Sequence, residues 1–406
     1  MPQAAVDDFS DDEIAALRDE TPGCRSIVHL NNAGAALISE PVLARHIAHL
    51  EREARIGAYE AAREAADEIA GVYRAVAELI GCTPEEIALA PNATWAWSQA
   101  FLAIPLARGD RILTARSEYA SNYIAYLKRA KEVGASIDVI ADDAHGQIDT
   151  DALARAIDER VRLIALPHVP TNGGLVNPVA EVGRIARAHG IPFLLDACQS
   201  VGQLHVDVDE IGCDMLATTS RKFLRGPRGI GCLYVRKSWL ERLEPPVIDP
   251  RGAQWTGADR YELASDAHRF ETWEYSVAGA LAFGLAVRRA RTLGMSRIER
   301  RIVALAARLR GALAGLPGVH IHDLGERKCG IVTFTLDRLP ADAAMTALIA
   351  RGFNVNITKP EFTLLDMQRR GLPDLVRASV HYYNTVGEID AFCAAVADVS
   401  AGVAPS

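Results

Sequence analysis

The chain has 406 residues, 49% of them apolar and 24% charged, with a formal net charge of −8. That length exceeds one ordinary core and implies two domains, and the composition is that of a globular enzyme rather than a disordered or fibrous chain. The acidic balance, with no basic tract, gives a nucleic-acid role little electrostatic support.

The opening "MPQAAVDDFSDDEIAALRDE" is acidic where a signal peptide is basic. "SIVHL" (26–30) reads as a strand. A long helical pattern follows over 41–80, with Gly57 and Gly71 as its possible breaks. "EIALA" (86–90), "RILTA" (111–115), "SIDVI" (136–140), "RLIALP" (162–167), "PFLLDA" (192–197) and "DMLATT" (214–219) read as strands. Helical stretches over 120–133, 150–157 and 178–189 separate several of them. Strands apolar on both faces and alternating with helices predict an α/β fold with a mostly parallel sheet covered on both sides.

After Glu274 the texture changes. Two long helices are expected over 277–292 and 296–316. Then come strands at "GVHIH" and "GIVTFTL", a helix near 341–350, strands at "FNVNI" and "LVRASVH", and a closing helix from Val386. This predicts a small α+β domain. The expected division is an N-terminal arm (1–24) packing on the small domain, a large domain (25–275) and a small C-terminal domain (276–406). The longest apolar region, 87–107, is broken by Pro91, Asn92, Ser98, Gln99 and Pro105, so no membrane span is expected. Seven cysteines, odd in number and without a C-x-x-C, indicate neither a disulfide framework nor a metal site. A reduced, cytoplasmic setting is the expectation.

Ligands of open α/β sheets bind beyond the carboxyl ends of the strands, and three polar groups stand there. In "PNATWAWSQA", Asn92 can cap a helix starting near Thr94, whose free N–H groups make an anion site. In "LLDACQS", Asp196 closes an apolar strand, a costly place for a carboxylate without a cationic or donor partner, and Gln199 follows one turn on. In "TTSRKFLRGPRGIGCLYV", Lys222 follows a strand and precedes a loop that is neither G-x-G-x-x-G nor a Walker loop. It is one of only six lysines, and beside Arg221 and an apolar pocket its pKa should be lowered, which makes it a nucleophile toward carbonyls. Each signal alone has a bland reading: a helix cap, a turn-capping Asp, a solvated lysine. In the order anion site, carboxylate, lysine they match what pyridoxal 5′-phosphate requires for its phosphate, ring nitrogen and aldehyde.

With those residues in view, the sequence resembles the class V aminotransferase family of fold-type I pyridoxal-phosphate enzymes. That family includes cysteine desulfurases, cysteine C–S lyases, isopenicillin N epimerase-like proteins and kynureninase. The resemblance runs from "VHLNNAGAA" to "VRASVHYYNT" and is strongest in "HVPTNGGLVNPVAEVGRIARAHGIPFLLDACQSVGQ" and "TTSRKFLRGPRGIG". Through "SRKFLRGPRGIG" and "RASVHYYNT" it is most similar to the hercynylcysteine sulfoxide lyase group.

The resemblance implies a large domain built on a mostly parallel mixed sheet, a smaller α+β domain, and a homodimer whose active site is completed across the interface. "RFETWEYS" (269–276) is the candidate contribution to the partner's site. It implies that Lys222 carries the cofactor as a Schiff base, Asp196 pairs with the ring nitrogen and Gln199 approaches the ring hydroxyl. Ala93, Thr94, Thr219 and Arg221 would cradle the phosphate. Tyr119, where many relatives have histidine, would stack on the ring. Thr171 stands beside the cofactor hydroxyl where relatives often have asparagine, with Asn172 next to it. Arg377 would grip the substrate α-carboxylate, and Asn32 is a second candidate substrate contact.

One departure bears on the reaction. Desulfurases of the family carry a mobile-loop cysteine shortly before the carboxylate arginine, and residues 354–375 here contain none. The nearest upstream, Cys329, opens a predicted strand. The expected reaction is therefore β-elimination from a cysteine-derived amino acid, giving pyruvate and ammonia, with "RGAQWTGADRYE" (251–262) lining the distal pocket. Transamination or epimerisation on the same cofactor is the alternative, and a non-catalytic binding protein on the same fold is the alternative of another class.

Overall fold

The computed structural model describes residues 9–403. Residues 1–8 of the expected arm and 404–406 of the expected small domain lie outside the described residues. After a two-residue strand, β1 (Val28–His29), seven strands share one sheet. These are β2 (Ile87–Ala90), β3 (Arg111–Ala115), β4 (Ser136–Ile140), β5 (Val161–Pro167), β6 (Phe193–Asp196), β7 (Met215–Thr219) and β8 (Gly231–Val235). Their order is β2-β8-β7-β6-β5-β3-β4. Strands β3 to β7 run parallel, and β8 lies antiparallel between β7 and β2.

Helices cover both faces, so alternate residues of a strand enter different cores. Ile164 and Leu166 of β5 join one cluster, while Leu163 and Ala165 join the other. The six expected strands of this sheet form within a residue or two of their sequence bounds. The seventh, "GCLYV" (β8), carries no such signal, because it follows a glycine-rich loop rather than a helix.

The long helical pattern divides into Glu40–Ile56, Ala58–Glu64 and Ala66–Ile80. Gly57, at φ 99°, makes the first break as expected. Gly71 does not break the helix. The second interruption falls at Ala65. Val72, Tyr73, Val76, Leu79 and Ile80 form a buried stripe that favours an uninterrupted helix through Gly71.

A hairpin of β9 (Ala253–Gly257) and β10 (Arg260–Leu263) stands exposed before the C-terminal part. The helix Val277–Leu293 packs on Glu40–Ile56 and Ala66–Ile80, and Met295–Ala314 packs on the C-terminal strands and the closing helix Val386–Ala401. The second sheet holds β11 (Val319–Ile321), β12 (Ile331–Leu336), β14 (Asn356–Thr358) and β15 (Leu375–Ser379) in the antiparallel order β11-β12-β15-β14. The run "FNVNI" is split at the buried Val355. Its first half, β13 (Phe353–Asn354), pairs with β1, and its second half is β14.

The first described helix, Asp11–Asp19, begins with a capping box between Ser10 and Glu13. Phe9 stacks on Tyr382 and Arg18 pairs with Glu388 at 2.8 Å, so this end of the chain lies against its C-terminal part. Among the described residues, no helix is long and apolar enough to cross a membrane.

Candidate active site

A parallel sheet delivers the carboxyl ends of its strands to one edge, and a cavity of about 730 Å³ lies there. After β2, Asn92 accepts from the Trp95 N–H and caps the helix Ala93–Ala103, whose first residues, Ala93 and Thr94, face the cavity. Beyond β3 comes Tyr119, and beyond β5 comes Thr171. Asp196 ends β6, with Gln199 one turn later. Thr219 ends β7, with Arg221 and Lys222 following. From the second sheet, Arg377 on β15 completes the wall. These ten sequence-predicted residues thus share one cavity.

Asn32 does not. It is fully buried outside the wall, donating to the carbonyls of Ser379 (2.7 Å) and His29 (3.3 Å) and accepting from the Tyr383 hydroxyl (2.5 Å). Its amide is spent tying the strand β1 region to β15, which leaves nothing for a substrate.

Burial holds the Lys222 amine below its ordinary pKa, with Asp196 and Cys198 opposing and Arg221 and Arg377 adding to the effect. Of the two causes expected from the sequence, the apolar surroundings and Arg221, desolvation is the larger. Among the described residues, Lys222 has no side-chain hydrogen bond or ion pair. Its backbone is held closely instead. Gly202 sits at φ 96°, and a Cβ there would fall 2.5 Å from the Phe223 carbonyl carbon, so only glycine lets this loop pass beneath the lysine. Arg225, at φ 59°, closes the following turn by donating its N–H to the Lys222 carbonyl. Its buried guanidinium holds that left-handed conformation by donating to the Leu37 carbonyl, the Tyr382 hydroxyl and the Thr21 hydroxyl.

Asp196, 8% exposed, accepts from the Cys198 N–H (2.9 Å) and the Asn122 amide (3.0 Å). Arg377 donates to the Thr171 carbonyl (3.0 Å) and hydroxyl (2.9 Å), and burial brings it down to about pKa 10. It has no carboxylate partner among the described residues, which is the condition of a guanidinium awaiting an anion. Thr171 also accepts from Gln199 at 3.3 Å, so one hydroxyl sets two neighbouring side chains.

Among the described residues, two buried polar atoms on this wall have no partner: Gln199 Oε1 and Arg377 Nε. Buried groups are rarely left so. An unpaired amine, an orphan acceptor, a carboxylate at a strand end and a helix N-terminus around one cavity fit pyridoxal 5′-phosphate. Lys222 would meet its aldehyde, Gln199 its hydroxyl, Asp196 its ring nitrogen, and Ala93, Thr94, Thr219 and Arg221 its phosphate.

Sequence reasoning missed Asn122, although its place four residues after Glu118 puts both on one face of a helix start. It also missed Cys198, Arg228, and Asn356, Ile357 and Phe362, which reach the wall from the second sheet and its following turn. No sequence pattern links those distant residues to this edge. The stretch 251–262, expected at the distal pocket, instead lines a separate surface groove beside the β9–β10 hairpin.

The family model Aminotransferase class-V matches residues 28–392. A probable cysteine desulfurase of Methanothermobacter thermautotrophicus is 28% identical over 381 residues, covering 92% of this chain and 94% of that protein. One of Halalkalibacterium halodurans is 31% identical over 70% of each chain. Among solved structures, the apo cysteine desulfurase of Thermococcus onnurineus NA1 superposes with a TM-score of 0.89 at 26% identity, over 96% of this chain and 98% of that one.

Proposed function

This chain belongs to the aminotransferase class-V family of pyridoxal-phosphate enzymes, and we propose that it cleaves the Cβ–S bond of a cysteine-derived amino acid, a cysteine S-conjugate or its sulfoxide, by β-elimination. Relatives named for removing sulfur from cysteine support the substrate class. The observation that carries the reaction is the wall facing Arg377. Residues 354–375 hold no cysteine to accept sulfur, and among the described residues the one thiol on the cavity wall, the half-buried Cys198, is pushed well above its ordinary pKa by desolvation and by Asp196. Cys329 is fully buried and pushed up to about pKa 11. A thiol is a poor sulfur acceptor without its thiolate.

The roles of the side chains follow from their positions. Arg377 binds the α-carboxylate and fixes Cα near Lys222. The Lys222 amine, held below its ordinary pKa, takes the Cα proton. Bound pyridoxal phosphate supplies the electron sink for the pair left at Cα. Asp196 holds the proton at the ring nitrogen that keeps the sink effective. The Cβ–S bond then breaks with its electron pair leaving on sulfur, and water releases the remaining fragment as pyruvate and ammonium. A sulfoxide leaves more readily than a thioether.

Incubation with cysteine S-conjugates and their sulfoxides should release pyruvate in step with the sulfur product, the sulfoxides reacting faster. Conversion of a keto acid to an amino acid, with no pyruvate from any conjugate, would sink the lyase reading.

We propose further that the protein is a cytoplasmic homodimer, divided at 24/25 and 275/276, with 269–276 reaching the partner's site. Leu43, Ile47 and Leu50 are exposed along the helix Glu40–Ile56, as are Tyr59 just after it and Trp273 within 269–276. Light scattering should give twice the chain mass of 43.8 kDa; a fully active monomer would refute the dimer.

A further inference from the structure

Beneath Asp196 lies a second buried acid that the mechanism above does not use. Glu118, 3% exposed, sits in the turn between β3 and the helix Ala120–Val133. Four donors converge on it. The Thr114 hydroxyl (2.9 Å) and Tyr126 hydroxyl (3.0 Å) reach Oε2, and the Tyr119 N–H (2.7 Å) and Asn122 amide (3.0 Å) reach Oε1. The same Asn122 nitrogen donates to Asp196 Oδ2 at 3.0 Å. One NH₂ group, with two hydrogens, thereby bridges two buried carboxyl groups.

We propose that Glu118 is a positioning residue for the cofactor ring, acting through the Asn122 amide to orient Asp196 and losing its own proton when a protonated ring nitrogen pairs with Asp196. Two like charges joined by one amide repel, so Glu118 resists ionisation while the Asp196 charge is uncompensated. Burial is the larger cause and Asp196 the second, and together they push Glu118 up to about 7. The titratable groups facing the pair are Tyr126 at Glu118, and Cys198 and Lys222 at Asp196. A cation on Asp196 removes the repulsion, and the four donors then stabilise an ionised Glu118. By reciprocity, ionised Glu118 strengthens the hold on that cation.

The sign follows. Glu118 is protonated well below pH 7 and adds nothing to cofactor affinity there; above pH 7 its charge tightens binding. Glu118→Gln is isosteric and stays neutral. Its oxygen can accept from Tyr119 and Asn122, while its NH₂ donates to the Thr114 and Tyr126 oxygens. Apo-protein titrated with pyridoxal 5′-phosphate, followed by visible absorbance, should give E118Q and wild type the same Kd at pH 5.5. At pH 8.5 E118Q should bind about tenfold more weakly, the effect of roughly one pKa unit of coupling. A merely structural defect would weaken binding equally at both pH values.

A ratio of variant to wild-type Kd that is flat from pH 5.5 to 8.5 overturns the proposal. Tyr126→Phe, which removes one donor to the charged form, should move the rise in affinity to higher pH. If E118Q does not fold, a Y126F profile superimposing on wild type overturns it instead. The readout is cofactor affinity, so failure of the C–S lyase reading leaves this result standing.

Discussion

Lys222→Ala will abolish turnover, by at least about 10³-fold, while leaving the fold intact. The size of the loss follows from the two roles proposed for Lys222, moving the Cα proton, worth about 10² to 10⁴ by itself, and attaching the cofactor. The intact fold follows from its surroundings. Lys222 makes no side-chain hydrogen bond or ion pair among the described residues, and its amine is held below its ordinary pKa by burial. Lys222 is half-buried, and removing an unpartnered, partly desolvated amine relieves a penalty rather than breaking a contact, so the melting temperature should be unchanged or higher. The cofactor should still bind, through the residues around Asp196 and the start of the helix Ala93–Ala103, but not covalently. Borohydride should fix it to Lys222 in the wild type and to nothing in the variant. Label recovered on any other residue, or K222A turning over at a tenth of the wild-type rate, would remove the foundation of the site.

Asp196→Ala should lower kcat by about 10³-fold with a small change in KM. The carboxylate closes β6 at the floor of the cavity and is oriented on both oxygens, by the Cys198 N–H and the Asn122 amide. Its proposed partner is the ring nitrogen, so its loss weakens the electron sink. The proposed grip on substrate is Arg377, which is anchored separately on Thr171. The split between kcat and KM is therefore the diagnostic. Steady-state kinetics of the cofactor-saturated variant measures it, and a kcat within about threefold of wild type would show that Asp196 is structural. Because Asn122 and Cys198 N–H each lose an acceptor, some loss of stability is expected as well.

Much of the fold is legible in the residues because the signals are local. Runs such as "RLIALP" and "PFLLDA" are apolar on both faces, which only a covered parallel sheet can bury, and they form β5 and β6. Asn92, Asp196 and Lys222 were visible because each is a polar residue at the end of such a run. The misreadings are tertiary in origin. Gly71 is a helix breaker by propensity, yet the stripe from Val72 to Ile80 packs well enough to carry the helix through it. Asn32 lies in a motif that suggested substrate contact, but Ser379 and Tyr383, 347 and 351 positions away, claim its amide.

What the sequence determined by itself is the set of chemical groups and the edge on which they would gather, since strand ends follow from hydrophobic period. What only the tertiary structure decided is which of those groups are already satisfied. Arg377 meets Thr171 across 206 positions and keeps its Nε unpaired among the described residues, and Asn122, bonded to Glu118, reaches Asp196 across 74. Desolvation and partner choice depend on everything that packs around a group. They set the Lys222 amine low and the Glu118 carboxyl high, in each case chiefly through burial by distant elements rather than through the neighbours in the chain.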